Sequence, residues 1–312
     1  MSVVCLGELL IDFVALESGV TVGEASGFIK APGGAPANVA VAVQKLGHPA
    51  AFMGQVGDDP FGHYLTGVLV NNGVDVAGIT YSQEARTALA FVSLKLDGDR
   101  SFMFYRHPSA DMLMRPEDLR LEVMEDKRIF HFGSISMIGE PSRSATLAAA
   151  QHALDRHMFI SYDPNLRLAL WESADAAKAG MLTGFDYAHF VKISEEELEF
   201  LTGGADVTPL WRDHLQLIAI TRGAKGATIY TRSTQYDVPG FSVNSLDTTG
   251  AGDAFVAGML VGILENADYR DKLPQITRFA NAVGALTTTQ KGAIPSLPTR
   301  AAADVFAQAM ST

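Results

Sequence analysis

Short runs of apolar and β-branched residues recur along this chain, and each is followed by a turn and then by a stretch with helical periodicity. The first run is "VVCLGEL" at 3–9, and five more follow: "AAFMGQVG", "RIFHFGSIS", "MFISYDPN", "AHFVKIS" and "LIAITRG". Helical patterns lie at 36–46, 142–156 and 195–202. This alternation predicts βαβ units, and therefore a mostly parallel sheet that helices cover on both faces.

Two segments interrupt the alternation and predict a second, smaller sheet. Residues 13–32 are a polar, glycine-containing segment near the N-terminus. Residues 87–106 predict a β-hairpin around the turn signal Asp97-Gly98-Asp99. A small sheet with one apolar face needs cover from the main domain or from a second subunit, so we expect a lid or a dimer surface. Residues 228–241 predict antiparallel strands at one edge of the main sheet. No linker divides the chain, so we expect one large domain over 1–312.

Charge and cysteine content narrow the functional classes. The net charge of −11 disfavours nucleic acid or an anionic membrane as a general partner. The one cysteine, Cys5, leaves no intramolecular disulfide and no thiolate metal cluster. No signal peptide is evident, and the longest apolar run, near 254–264, is shorter than the ~20 residues of a membrane-spanning helix. We therefore expect a cytoplasmic protein.

The strongest chemical signal is "DTTGAGDAF" at 247–255. Two threonines can cap a helix, and the bare turn at 250–252 lets a ligand approach backbone N–H groups. The following apolar run predicts a buried helix, whose first N–H groups lack intrahelical partners and carry the positive end of the dipole. Asp253 could accept a proton from a hydroxyl that attacks a phosphate. On these residues alone, a plain glycine-rich cap with Asp253 as a dipole partner fits equally well.

Other polar side chains are predicted at strand ends and helix starts. In "APGGAPANVAVAVQKLG" at 31–47, Asn38 lies in the first turn of a helix and could contact a neutral polyol or cap the helix. "SYDPNLR" ends a strand with a carboxylate, an amide and Arg167, which suits a phosphate or a carboxylate. Ser194-x-x-Glu197 matches a capping box, although its acids could also hold water on Mg²⁺.

Together these motifs resemble the ribokinase-like, or pfkB-type, carbohydrate kinases along nearly the whole chain. "GGAPANVAVAVQKLG" is similar to the N-terminal signature of that family and "DTTGAGDAF" to its C-terminal one, in the same order. The start at Gly7–Asp12 and the ending "FANAVGALTTTQKGAIPSLPT" add to the match. The resemblance implies a Rossmann-like three-layer α/β/α domain with a β-sheet lid formed by about 13–32 and 87–106. It also implies transfer of the ATP γ-phosphoryl group to a sugar hydroxyl.

The resemblance further implies roles for individual residues. Asp253 would be the general base, and the anion hole would be formed by the backbone amides of Gly250, Ala251, Gly252 and Asp253. The sugar would contact Asp12, Gly33, Gly34, Asn38, Phe104, Arg106 and Arg167. The nucleotide would lie against Asn165, Ser194, Thr221, Gly223, Lys225, Gly226 and Asn281. Glu197 would hold Mg²⁺ through water, although Ser194 stands where the family often has Asn. Many relatives bind K⁺, and the matching region here comprises Asp247, Thr249, Thr287, Gln290, Gly292 and Ser296.

The sugar is less constrained than the reaction. "GGAPANVA", "RHPSADMLM" and "GAIPSLP" are most similar to the bacterial fructokinases, and they favour fructose as the acceptor. The 2-keto-3-deoxygluconate kinases and the aminoimidazole riboside kinases are the alternatives. A non-catalytic sugar or nucleotide sensor and a dinucleotide-dependent enzyme are rivals of other classes. The lid implies a homodimer.

Overall fold

The computed structural model describes residues 2–94 and 100–309. The strands are β1 Val3–Leu6, β2 Leu10–Ser18, β3 Phe28–Gly33, β4 Ala50–Gly57, β5 Asp75–Ser82, β6 Leu89–Leu94, β7 Arg100–Tyr105, β8 Ile129–Gly133, β9 Phe159–Asp163, β10 Phe190–Ser194, β11 Leu217–Thr221, β12 Ala227–Tyr230 and β13 Gln235–Val238. The helices are α1 Ala35–Lys45, α2 Pro60–Asn71, α3 Ser142–Asp155, α4 Ala174–Phe185, α5 Glu195–Thr202, α6 Ala251–Glu265, α7 Leu273–Thr287, α8 Ala293–Ser296 and α9 Arg300–Ala309.

The main sheet has nine strands in the order β13-β12-β11-β10-β9-β8-β1-β4-β5. Its strands from β11 to β5 run parallel, whereas β12 and β13 add an antiparallel edge. Each of the six apolar runs in the sequence forms a strand of this sheet. The predicted parallel sheet and its antiparallel edge are therefore confirmed.

Side chains from alternate positions of one strand enter two different cores. In β1, Val3 and Cys5 belong to a cluster with α1, α6 and α7, while Val4 and Leu6 belong to a cluster with α3 and α4. A strand that is buried on both faces needs apolar residues at every position, which is why these runs do not alternate. The result is the predicted three-layer α/β/α arrangement.

A separate four-stranded sheet, which we call the lid, has the order β3-β2-β6-β7. It is built from the two segments that interrupt the βαβ alternation, as expected, although β2 already begins at Leu10. Strands β2 and β6 pair in parallel, and the other two pairs are antiparallel. The turn predicted at Asp97-Gly98-Asp99 lies outside the described residues.

Helix α6 begins at the carboxyl side of the main sheet and differs in one respect from expectation. Its N-cap is Gly250, with φ 79°, and no side chain caps it. The hydroxyl of Thr249 donates instead to the carboxylate of Asp247, so the predicted threonine cap is wrong at this position.

Among the helices of residues 2–94 and 100–309, none combines the length and the apolar composition that a membrane span requires.

Candidate active site

Asp253 lies in the first turn of α6 and is 7% exposed. The Nδ2 group of Asn38, in the first turns of α1, donates to its Oδ2 at 2.8 Å. Burial raises the pKa of Asp253 to about 6, although the Asn38 hydrogen bond opposes the rise. A carboxylate with this pKa is ionised at neutral pH and can still take up a proton, as a general base requires.

The turn before Asp253 leaves backbone donors without intrahelical acceptors. The N–H of Ala251 donates to the carbonyl of Thr248 at 3.3 Å, and the first helical bond runs from Ala254 to Gly250 at 2.8 Å. The N–H groups between them, on Gly252 and Asp253, are at positions that lack intrahelical acceptors. The positive end of the α6 dipole is therefore available to an anion.

A buried ion pair lies beside this turn. The ammonium of Lys192, in β10, contacts Oδ2 of Asp163 at 3.0 Å, and the two residues are 7% and 3% exposed. A Cβ atom added at Gly252 would lie 3.0 Å from the Lys192 Nζ. The missing side chain at Gly252 thus brings the ammonium group close to the glycine turn.

The same ammonium lines a cavity of about 300 Å³ at the carboxyl end of the main sheet, together with Asn165, Arg167, Ser194 and Glu197. Asn165 has φ 48°, a left-handed conformation that Asn adopts more readily than most residues, and its N–H donates to Asp163 Oδ1 at 3.1 Å. The structure therefore brings four residues that were assigned separately from the sequence to one cavity.

Glu197 takes part in the predicted capping box at the start of α5. Its Oε2 accepts from the N–H of Ser194 at 2.8 Å, and its Oε1 accepts from the N–H of Leu166 at 2.7 Å. A carboxylate has about four acceptor sites, so both oxygens can still accept from water. In the described residues no group of three His, Cys, Asp or Glu side chains could hold a metal ion directly. The arrangement fits Mg²⁺ bound through water and nucleotide phosphates.

The lid contributes a second polar group near α1. Asp12 lies on β2 opposite Ala31 of β3, and a Cβ atom added at Gly33 would lie 2.3 Å from its Oδ2. Gly34, with φ 115°, passes close to the backbone of Glu8, where a Cβ atom would clash at 2.3 Å. Both glycines therefore allow close approach of chain segments that any side chain would separate.

Arg106 follows β7 and is buried rather than solvated, with 5% exposure. Its guanidinium pairs with the buried carboxylate of Asp111, which also accepts from the hydroxyl of Ser109. Glu8 lies within reach of this pair, and burial raises its pKa to about 7 while the charge of Arg106 opposes the rise. Phe104 packs against Leu10 of β2, Ala90 of β6 and Ala88, which directly precedes β6.

The residues assigned to the nucleotide fall partly into another cluster. Gly226, with φ 96°, lies where a Cβ atom would be 2.2 Å from the carbonyl of Val238. Asn281 of α7 donates to the carbonyls of Val238 and Pro239, each at 3.2 Å. Thr221, Gly223 and Lys225 belong to the end of β11 and the turn that leads to Gly226.

Asp247 connects two loops beside the glycine turn. Its Oδ1 accepts from the N–H of Thr249 at 2.9 Å, and its Oδ2 accepts from the N–H of Gly292 at 2.8 Å. The hydroxyl of Ser296 donates to the carbonyl of Ala293 at 2.8 Å. The Thr287 hydroxyl donates to the carbonyl of Val283 at 2.9 Å, and Gln290 is exposed. Carboxylate and carbonyl oxygens are the ligands that a hard cation prefers.

Comparison with known proteins places this arrangement in a family. The profile of the "pfkB family carbohydrate kinase" matches residues 1–300. The chain belongs to the pfkB family of carbohydrate kinases. It is 52% identical over 305 residues to "Probable fructokinase-4" of Arabidopsis thaliana, with 95% of this chain and 94% of that protein covered.

Solved structures agree with the family assignment. The fructokinase from Xylella fastidiosa with bound ATP superposes with a TM-score of 0.92 at 36% identity and covers 100% of this chain and 99% of that one. The fructokinase from Vibrio cholerae O395 in its fructose, ADP and calcium ion bound form has a TM-score of 0.88 at 36% identity, with 98% of each chain covered. The fold predicted from the resemblance is confirmed.

Two acidic residues and one lysine of this pfkB chain received no role from the sequence. These are Glu8, Asp111 and Lys192, all buried and all beside residues that did receive one. Lys192 had a signal, because it is the only charged residue in the apolar run "FVKI", and lysine is almost never fully buried unless paired. Glu8, between Gly7 and Leu9, is likewise a charged residue within an apolar run. Asp111 lies in no such run, so the sequence contains no signal of its burial.

Proposed function

We propose that this chain is an ATP-dependent fructokinase, with Asp253 as its general base. The observation that carries the proposal is the buried Asp253 carboxylate, hydrogen-bonded to Asn38 in the first turn of an uncapped helix. Transfer of a phosphoryl group to a hydroxyl uses a proton acceptor beside an anion site. The position of Asp253 in the first turn of an uncapped helix supports both roles. The names of the relatives at about 50% identity support fructose as the acceptor.

In the proposed reaction the sugar hydroxyl oxygen attacks the γ-phosphorus of ATP. The new oxygen–phosphorus bond forms as the bond to the leaving ADP oxygen breaks, and the hydroxyl proton passes to Asp253. The amides of Gly250, Ala251, Gly252 and Asp253 would form the anion hole, and those of Gly252 and Asp253 are at positions without intrahelical acceptors. Positioning and charge stabilisation supply most of the acceleration in such transfers.

The proposed sugar site lies between α1 and the lid, where Asp12, Gly33, Gly34, Asn38, Phe104, Arg106 and Arg167 face the acceptor. Within the described residues the buried Oδ1 of Asn38 and Nε of Arg106 have no hydrogen-bond partner. Sugar hydroxyls can satisfy both an acceptor and a donor. Because Asp111 already neutralises Arg106, this lid cation supports a neutral sugar more than it supports the carboxylate of 2-keto-3-deoxygluconate.

The proposed nucleotide site uses the 300 Å³ cavity and the turn after β11. Its residues are Asn165, Ser194, Thr221, Gly223, Lys225, Gly226 and Asn281. Mg²⁺ would be held by the phosphates and, through water, by Glu197, and it would neutralise phosphate charge. Asp247, Thr249 and Gly292, with carbonyls near Thr287, Gln290 and Ser296, would hold K⁺ beside the glycine turn. Because the reaction consumes ATP, we expect the protein to act in the cytoplasm.

We further propose that the chain is one kinase domain over 1–312 that forms a homodimer through its lid. Val14 and Ile29 are paired on the lid face that carries Asp12, and Leu16 continues that face. Leu16 and Ile29 are 58% and 61% exposed, which is unusual for neighbouring large apolar side chains. A second lid would cover them. Light scattering should give a dimer for the wild type and a monomer for Ile29→Lys, and a wild-type monomer would exclude the interface.

The kinase activity is tested by ADP release with fructose, 2-keto-3-deoxygluconate and aminoimidazole riboside as separate acceptors. We expect the highest kcat/KM with fructose, and a loss of about 10²–10⁴-fold in kcat for Asp253→Ala with ATP binding retained. Near-normal turnover of that variant would remove Asp253 as the base. If no acceptor stimulates ADP release, the sensor alternative replaces the kinase.

A further inference from the structure

Lys192 is a buried cation at the carboxyl end of a central strand. It is the only charged residue in β10, and its neighbours on the adjacent strand β11 are apolar. In parallel α/β sheets the carboxyl ends of the strands face the ligand crevice. The position of this ammonium group is therefore one from which it can reach a bound substrate, and the 300 Å³ cavity opens beside it.

The ion pair with Asp163 does not by itself explain why a lysine is buried at position 192. A buried ion pair is on average no more stabilising than apolar residues of the same volume, because both charges lose their hydration. Here the pair is placed against Gly252, whose absent side chain leaves the Lys192 Nζ 3.0 Å from the position of a Cβ atom. The charge thus lies beside the amides that would bind a phosphoryl group.

The charges around the turn explain what the ammonium does there. Asp163, Glu197 and Asp253 face Lys192, and although burial lowers its pKa, their negative charges raise it overall. Lys192 is consequently protonated at neutral pH. At Asp253 burial has the largest effect on the pKa; Asp163 raises it further, whereas Lys192 and Arg167 lower it. Without Lys192, three carboxylates would lie near the incoming phosphate, with Arg167 still lowering the pKa of Asp253.

We propose that Lys192 is a further residue of the phosphoryl-transfer site. Its ammonium, held against Gly252 by Asp163, stabilises the negative charge of the γ-phosphoryl group and the ionised form of Asp253. Asp163 is then a positioning residue, since it holds the ammonium in place without contacting the substrate. This inference rests on the proposed kinase function and adds a cation to the backbone amides of the anion hole.

The first test is Lys192→Met, which removes the charge at nearly constant length. We expect kcat to fall about 10²-fold, as for the loss of one preorganised charge-stabilising group, with a smaller change in the KM for sugar. The acid limb of kcat/KM should also move to higher pH. Lys272→Met is the matched control, because Lys272 pairs with Asp268 at 3.0 Å near the opposite end of α6. Its kinetics should match those of the wild type.

A second variant separates a role in the reaction from neutralisation of Asp163. Lys192→Met/Asp163→Asn removes both charges and leaves no unpaired buried carboxylate at position 163. We expect this variant to regain thermal stability but to keep the low kcat. Recovery of kcat to within about threefold of the wild type would overturn the proposal, because Lys192 would then serve only to pair Asp163.

Calorimetric titration with ATP and with ADP tests the same contact without turnover. Lys192→Met should weaken ATP binding more than ADP binding, because only ATP carries the γ-phosphate. An unchanged ratio of the two affinities would overturn the proposal even if the protein phosphorylates no sugar. Absence of sugar-dependent ADP release by the wild type would instead reject the kinase function, so the two failures are distinguishable.

Discussion

Asp253→Asn should make the folded protein more stable at neutral pH while it abolishes the proposed catalysis. The substitution keeps the shape of the side chain and removes the charge. In the native protein burial raises the pKa of Asp253 from 3.8 to about 6, so ionisation of this group opposes folding. The unfolded chain loses its proton first as the pH rises, and the free energy of unfolding falls between about pH 4 and 6.

The size of the effect follows from the pKa shift. A rise of about two units corresponds to roughly 3 kcal/mol of unfolding free energy that is lost above pH 6 and fully present below pH 3.8. The uncharged amide of the Asp253→Asn variant avoids this cost, so the stability gain should approach ~3 kcal/mol at pH 8 and shrink to ~0.5 kcal/mol at pH 4. For a chain of this length, the larger value corresponds to an increase of about 5 °C in Tm.

Urea unfolding at pH 4 and pH 8, at one protein concentration, measures the difference. Asp163→Asn is the matched control, because neutralising that carboxylate leaves Lys192 without its ion-pair partner. This control should destabilise the protein at pH 8. The reasoning is refuted if Asp253→Asn gains nothing at pH 8, or if its gain is equal at the two pH values.

Three further predictions concern the same turn. The wild-type kcat/KM should fall on the acid side with a midpoint near pH 6, because the proton acceptor Asp253 is lost there; a pH profile measures this. Asn38→Ala removes a 2.8 Å hydrogen bond to the carboxylate, worth about 1.5–3 kcal/mol, and should move that limb up by about one to two units, whereas Asn281→Ala should leave it in place. Gly252→Ala places a Cβ 3.0 Å from a buried ammonium and should lower kcat about tenfold or more with little change in Tm, whereas Gly250→Ala, at φ 79°, should lower Tm; equal effects of the two on Tm would contradict this distinction.

The layers of this fold could be predicted from local sequence because each strand is uniformly apolar. β4 at Ala50–Gly57 and α5 at Glu195–Thr202 match the predicted segments residue for residue. Burial on both faces removes the alternation of an ordinary strand, and a capping box marks the start of the helix. Strand β2 begins at Leu10, three residues before the segment of about 13–32 that the sequence suggested for the lid, because Leu10 and Ile11 continue the apolar pattern of the preceding strand.

The contacts that the site residues make with one another could not be predicted from local sequence patterns. The sequence placed Asp253 in a helix start and Asn38 in another, 215 residues apart, but only the fold joins them by a hydrogen bond. Arg106 in "YRHPSAD" has no local sequence signal of burial, and only the structure shows it buried against Asp111. A charge that is buried through long-range contacts leaves no periodic signal in its own segment.

The sequence by itself determined the βαβ alternation, the glycine turn before α6 and the resemblance to a carbohydrate kinase. These are local properties, set by backbone freedom and by the periodicity of apolar side chains. Only the tertiary structure decided the electrostatics of the site. Burial of Asp253, the pairing of Lys192 with Asp163 and the approach of Lys192 to Gly252 depend on strands and helices that meet at one edge of the sheet. Desolvation and nearby charges arise only when these elements pack together, so the raised pKa of Asp253 is established only on folding.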